Sequence, residues 1–248
     1  CENTDALFEM IAKYPPEKTQ SITGVDPAPV EKIAEWYAKS ENSAIVYVLG
    51  ITQHSTGVDN VKSLANLAML CGHIGRPSTG VNPIRGQNNV QGACDMGVLP
   101  NVYPGYQAVT SPESKAKFEK VWGAPLSDKI GMTQIEQIDA LIEGKAKALV
   151  IYGANPMMSY PDIERTREAF AKAEFIVTID IFPTPTTEVS HVVLPGNSFA
   201  EGFGTFTNSE RRVQRLYPAI EPIAGKTDWE IIQELSTKTG YPMHYDSA

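Results

Sequence analysis

The run Gly80-Val81-Asn82-Pro83-Ile84-Arg85-Gly86-Gln87-Asn88-Asn89-Val90-Gln91-Gly92-Ala93-Cys94-Asp95-Met96-Gly97 holds the densest group of chemically useful side chains in the chain. Gln87, Asn88, Asn89 and Gln91 bring donors and acceptors into one neighbourhood, which suits a large polar ligand better than a catalytic triad. Arg85 is the single cation of the run, and its planar, permanently charged fork matches a carboxylate or a phosphate. The glycines let backbone approach a ligand closely. Neither helical nor strand periodicity is visible here, and a loop of this length inside a folded domain is uncommon unless it has a function. The plain alternatives are a Gly/Asn-rich surface loop and, for Arg85, an exposed salt bridge.

Further candidates follow short apolar runs. Gln53 comes after Ala44–Leu49, and Gly153-Ala154-Asn155-Pro156 comes after Ala148–Tyr152 and leads to Ser159. Asp180 closes the run that begins at Phe175. In an open parallel sheet, ligands bind at the carboxyl ends of the strands. Gly153 permits close backbone approach, Asn155 can bond a guanine edge or a ribose, and a following helix N-terminus favours phosphate. Taken singly, each has an ordinary reading: turn chemistry for the glycine and Asn-Pro, a helix cap for Asp180. His54 and His73 read as loop and cap residues rather than metal ligands.

These positions need strands and helices to hold them. A helix with the apolar stripe Ala6, Leu7, Phe8, Met10, Ile11 stops at Pro15-Pro16. A second runs from Pro29 to Lys39, with Asp26 near its start and Val30, Ile33, Ala34, Trp36 and Tyr37 as its buried side. Ala44–Leu49 reads as a buried parallel strand, Ile51–His54 as a loop, and Val58–Cys71 as a helix with Gly72 and Gly75 past its end. After a Pro/Gly/Tyr-rich connection from Pro100 to Pro112, Glu113–Trp122 is amphipathic, and Thr133-x-x-Glu136 forms a capping box. Strands are expected at Ala148–Tyr152, Phe175–Asp180 and His191–Pro195. Between them lie a helix over Pro161–Ala173, with proline in its first turn, and a short helical link at Thr186–Ser190. Gly204–Thr207 and Arg211–Leu216 alternate as a hairpin, and Thr227–Thr239 is the closing helix. Strand–helix alternation implies α/β architecture with mostly parallel sheets. We expect two Rossmann-like lobes, residues 1–87 and 88–248, each an incomplete part of a discontinuous domain.

Composition narrows the function. With 248 residues the chain can bury a substantial core, and its net charge of −8 argues against a nucleic-acid partner. Cys1, Cys71 and Cys94 show no zinc or iron–sulfur spacing and read as reduced thiols. No apolar run has the length of a membrane span.

The stretch from Ser63 to Tyr106, above all GVNPIRGQNNVQGACDMG, resembles the catalytic subunit of molybdenum- or tungsten-dependent formate dehydrogenases, of the bis-molybdopterin guanine dinucleotide oxidoreductase family. The likeness continues through GANP at Gly153–Pro156 to KTDWEII and GYPMHY. It implies a redox enzyme taking two electrons from formate to give carbon dioxide. By this resemblance Arg85 is the active-site arginine that holds the formate carboxylate, and Gln87 a contact nearer the metal. Gln53, Asn155, Ser159 and Asp228 match contacts to the guanine dinucleotide parts, and Gly153 and Asp180 belong to the same strand-end site. Two departures stand out: Gly196 replaces a frequent serine or threonine, and Phe203 replaces the second glutamate of E-x-E-G-T-F-T-N.

The family's four clustered iron–sulfur cysteines, its Cys/Sec-His metal ligand and its bridging lysine have no match here, and no Cys-His dipeptide occurs. The expectation is the middle portion of such a subunit, with no metal ligand of its own. Molybdenum or tungsten on the pterin dinucleotides and a 4Fe-4S cluster belong to the parent enzyme; the portion alone is expected to bind none of them and to be inactive. Formate, the remaining segments of the subunit and electron-transfer subunits are the implied partners, with a cytoplasmic location expected and a periplasmic one the alternative. A non-catalytic guanine-nucleotide or cofactor-binding module, and another molybdopterin oxidoreductase such as a nitrate reductase, remain open.

Overall fold

Asp26 starts the first well-capped helix of the computed structural model, which describes residues 2–248; Cys1 lies outside the described residues. Its carboxylate accepts a hydrogen bond from the Ala28 N–H (3.0 Å) ahead of α3 (Pro27–Lys39), after α1 (Thr4–Ile11) and α2 (Pro16–Thr23). The chain divides into two units, Cys1–Gln87 and Asn88–Ala248.

In the first unit, β1 (Ala44–Tyr47) pairs in parallel with β2 (Gly80–Pro83), from Ala44 opposite Gly80 to Tyr47 opposite Pro83. Between them lie α4 (Leu49–Thr52) and α5 (Gly57–Leu70). Four expectations change here. The first strand ends at Tyr47, where pairing stops, and the supposed Ile51–His54 loop is largely α4, closed by Gln53 N–H to Leu49 O (2.9 Å). The strand is parallel but not buried, since Val46 is 59% exposed. The apolar side of α3 is also open, with Ile33 62% and Trp36 61% exposed, because a two-stranded sheet offers it no covered face to pack on. His73 is buried behind the α5 terminus: its N–H donates to Ala68 O and its Nε2 meets Tyr37 O (2.8 Å).

The second unit opens with α6 (Val90–Asp95) and a small hairpin of β3 (Val102–Tyr103) and β4 (Gln107–Ala108). The Gly80–Gly97 run is therefore not one long loop, and the Pro100–Pro112 connection contains paired strands. Strand β2 exists through pairing with distant β1, and α6 is too short to show a period. Next come α7 (Pro112–Trp122) and α8 (Gln134–Ile142), the latter begun by the Thr133/Glu136 capping box. Both cysteines among the described residues, Cys71 and Cys94, are free.

The main sheet is β5 (Ala148–Tyr152), β6 (Phe175–Asp180) and β7 (Val192–Pro195), parallel in that order. It is crossed by α9 (Pro156–Ser159), α10 (Ile163–Lys172) and α11 (Pro185–Glu188). Helix α10 starts two residues later than expected, because Asp162 caps it by accepting from Arg165 N–H (3.0 Å), leaving Pro161 outside. One face of the sheet, through Leu149, Ile151 and Ile176, packs on Ile138, Leu141 and Phe170 of α8 and α10. Antiparallel β8 (Gly204–Thr207) and β9 (Val213–Leu216) follow, then α12 (Asp228–Lys238). The second hairpin strand begins at Val213 rather than Arg211, which takes a left-handed turn conformation (φ 59°). Among the described residues no helix is long and apolar enough to cross a membrane.

Candidate cofactor and substrate site

Parallel pairing places the carboxyl ends of β5, β6 and β7 along one edge. At the β5 exit, Gly153 takes φ +58° and nothing stands where a Cβ would project. Asn155 begins α9 and is held by its carboxamide oxygen, which accepts from the buried Thr186 hydroxyl (2.7 Å). The same hydroxyl accepts the Met157 N–H (3.1 Å), so α11 fixes the turn after β5. Ser159 donates its hydroxyl back to Asn155 O (3.0 Å). At the end of β6, Asp180 Oδ1 accepts from Ile181 N–H (2.7 Å), while its other carboxylate oxygen accepts no hydrogen bond among the described residues.

Asp228, at the start of α12, spends both oxygens inside the protein. Its Oδ2 accepts the Tyr152 hydroxyl (2.7 Å) and its Oδ1 the Asn197 N–H (2.8 Å). The Asp228 N–H returns a bond to Asn197 Oδ1 (2.6 Å). Gly196 makes room for this: a Cβ there would lie 3.0 Å from Asp228 Oδ1 and 3.6 Å from the Asp180 carbonyl carbon. Burial and the Asp228 carboxylate drive the Tyr152 phenol well above its ordinary pKa, so it remains a proton donor. A cavity of about 360 Å³ opens beside this knot, lined among others by Tyr152, Asn197, Phe199, Phe203, Phe206 and Trp229. The Trp229 indole N–H is buried with no hydrogen-bond partner among the described residues.

Glu201, first of the acidic-glycine motif, is a buried strut. Its oxygens accept from Ile223 N–H (2.7 Å) and Ser198 N–H (2.6 Å), which hold its carboxyl below the usual carboxylate range, Ile223 contributing most. Phe203, where a second acid was expected, lines the cavity instead.

Two of the four carboxamides expected to serve a ligand are used internally. Asn89 bridges β8, with its Nδ2 to Thr205 O (3.2 Å) and its Oδ1 from Thr207 N–H (3.0 Å). Gln91 bonds Asp95 (2.8 Å) and the Tyr106 hydroxyl (3.3 Å).

In the first unit, Gln53 and Arg85 leave from the same end of the paired strands β1 and β2. Ile84 N–H to Tyr47 O (2.9 Å) extends the ladder to the residue before Arg85. Gln53, Arg85 and Gln87 are exposed. Arg85 makes no ion pair, so the salt-bridge alternative has no partner among the described residues, where no cluster of metal-ligating side chains occurs either. Tyr152, Asn197 and Thr186 were not singled out from sequence. For Tyr152 the signal was a phenol ending an apolar strand just before Gly153.

A family model described as molybdopterin oxidoreductase matches residues 13–238. The chain belongs to the molybdopterin oxidoreductase family. Among curated relatives, formate dehydrogenase H of Escherichia coli (strain K12) is 43% identical over 248 residues, 99% of this chain and 35% of that protein. The F420-dependent formate dehydrogenase subunit alpha of Methanocaldococcus jannaschii is 47% identical over 242 residues, 97% of this chain and 35% of that protein. The molybdopterin oxidoreductase chain described here thus spans about a third of the length of these relatives. Acetylene hydratase from Pelobacter acetylenicus superposes with a TM-score of 0.70 at 19% identity, covering 97% of this chain and 36% of that one, a likeness of fold. The mixed α/β reading and the resemblance to formate dehydrogenases both hold.

Proposed function

We propose that this chain is a central part of the catalytic subunit of a formate dehydrogenase, and that its second unit holds a guanine-nucleotide end of a bis-molybdopterin guanine dinucleotide. What supports the reading is one edge of one parallel sheet that carries Gly153, Asn155 and Asp180 and to which Tyr152 and Asn197 tie Asp228, in a chain 43% to 47% identical to proteins named formate dehydrogenase. The donor and acceptor set suits a guanine nucleotide. An unspent Asp180 oxygen accepts from N–H groups of the base, and the clear space at Gly153 admits a phosphate or ribose. Ser159 and Asn155 form the turn against which the nucleotide lies.

When bound, the cofactor with its molybdenum or tungsten would supply the two-electron acceptor, and a 4Fe-4S cluster would belong to the parent enzyme. Gln53 and Gln87 are further cofactor contacts in this reading. Arg85, exposed and without a partner among the described residues, receives the formate carboxylate in a two-point contact and fixes which way the C–H bond faces. Electron-transfer subunits and the other segments of the same subunit complete the enzyme.

The test uses the full-length polypeptide that carries this chain. It should release GMP on acid hydrolysis and reduce a viologen dye only when formate is added. GMP without formate-dependent reduction would leave a different molybdopterin enzyme or a cofactor-binding module; no GMP would end the nucleotide reading.

A further inference from the structure

We infer that Tyr152 is a positioning residue of the nucleotide site, acting through Asp228; the inference rests on the guanine-nucleotide reading above. Tyr152 ends β5 and pairs with Ile179, on the sheet face opposite the one covered by α8 and α10. Its hydroxyl is the protein's only bond to Asp228 Oδ2 among the described residues, and it is short (2.7 Å). Asp228 in turn holds Asn197 at two points, with 2.8 Å to its N–H and 2.6 Å to its side-chain oxygen. One phenol therefore ties together the β5 exit, the β7 exit and the first turn of α12.

Gly196 brings this knot beside the end of β6. The space its Cβ would take touches both Asp228 Oδ1 (3.0 Å) and the Asp180 carbonyl carbon (3.6 Å). Each carboxylate oxygen has two lone-pair sites, so Asp228 Oδ2 can accept a ligand N–H while Tyr152 keeps the first. Guanine offers two adjacent donors, its ring N–H and its amino group, to fixed acceptors of this kind. Adenine offers one donor beside a lone pair that a carboxylate repels. Loss of the phenol hydroxyl leaves the carboxylate held through Oδ1 alone, and the Oδ2 acceptor is no longer preorganised.

The experiment titrates GDP and ADP into wild-type chain, Tyr152→Phe, Asp228→Ala and the double variant, reading affinity from amide shifts. Tyr152→Phe should weaken GDP about tenfold and narrow the GDP-over-ADP preference, with ADP nearly unchanged. In the Asp228→Ala background the same change should cost less than about twofold, because neighbours acting through one group are not additive. Should Asp228→Ala not fold, Asp228→Asn supplies that arm, judged by the same loss of additivity. Unchanged GDP affinity in Tyr152→Phe, equal weakening of both nucleotides, or full additivity would each overturn the inference and leave the nucleotide reading standing. A wild-type chain that binds neither nucleotide would overturn that reading, and the inference with it.

Discussion

Thr186→Val tests how the strand-end turn is held. Thr186 is fully buried, and its hydroxyl both donates to Asn155 Oδ1 (2.7 Å) and accepts from Met157 N–H (3.1 Å). Valine has nearly the same branched shape, so the change chiefly removes the hydroxyl. The Met157 N–H is part-buried and loses its partner, at about 1–3 kcal/mol. The Asn155 oxygen is half-buried and recovers part of its loss from water, leaving about 0.5–1 kcal/mol. Together these predict a loss of about 1.5–4 kcal/mol. Thr186→Ser keeps the hydroxyl and gives up one buried methyl, about 1 kcal/mol. Urea unfolding of the chain should therefore rank wild type above Ser and Ser above Val, through the midpoint at constant slope. A valine variant as stable as the serine one would mean that the hydroxyl is not what fixes the turn.

Arg85→Lys in the full-length enzyme should lower formate turnover severely while leaving cofactor content unchanged. It keeps the charge and loses the two-point fork, worth about 2–5 kcal/mol for a desolvated charge pair, and wild-type kinetics at full metal loading would remove Arg85 from the site. Glu201 and Glu230 have carboxyls held below their ordinary pKa, by the Ile223 and Thr227 backbone N–H groups respectively. The folded chain thus binds these protons more weakly than the unfolded one, and the stability they contribute is present above the ordinary carboxylate range and lost as pH falls through the lowered values. Glu201→Gln should flatten the acid limb of a stability–pH curve, and an unchanged limb would refute the assignment.

The core of the second unit was legible because its signals are local. The apolar runs at Ala148–Tyr152 and Phe175–Asp180 became strands at those limits, and the Thr133/Glu136 box caps α8 as its spacing requires. The first unit was legible in type but not in burial. Periodicity showed that Ile33 and Trp36 share an apolar side, but it could not show that the described residues cover neither. Within Gly80–Gly97 the carboxamides looked alike. Only the hairpin, distant in sequence, separates Asn89, spent on Thr205 and Thr207, from Gln87, which stays exposed. Asp228 was found by resemblance, whereas its bond to Tyr152 spans 76 residues and has no local sign.

The central claim is that the strand ends of the second unit seat a guanine nucleotide, and a GDP titration of the chain tests it most directly. Amide shifts should concentrate at Gly153–Ser159, Asp180 and Asn197, with an affinity of about millimolar to high micromolar, because the cofactor's remaining contacts lie outside this surface. Shifts confined to other residues, or none at millimolar GDP, would contradict it.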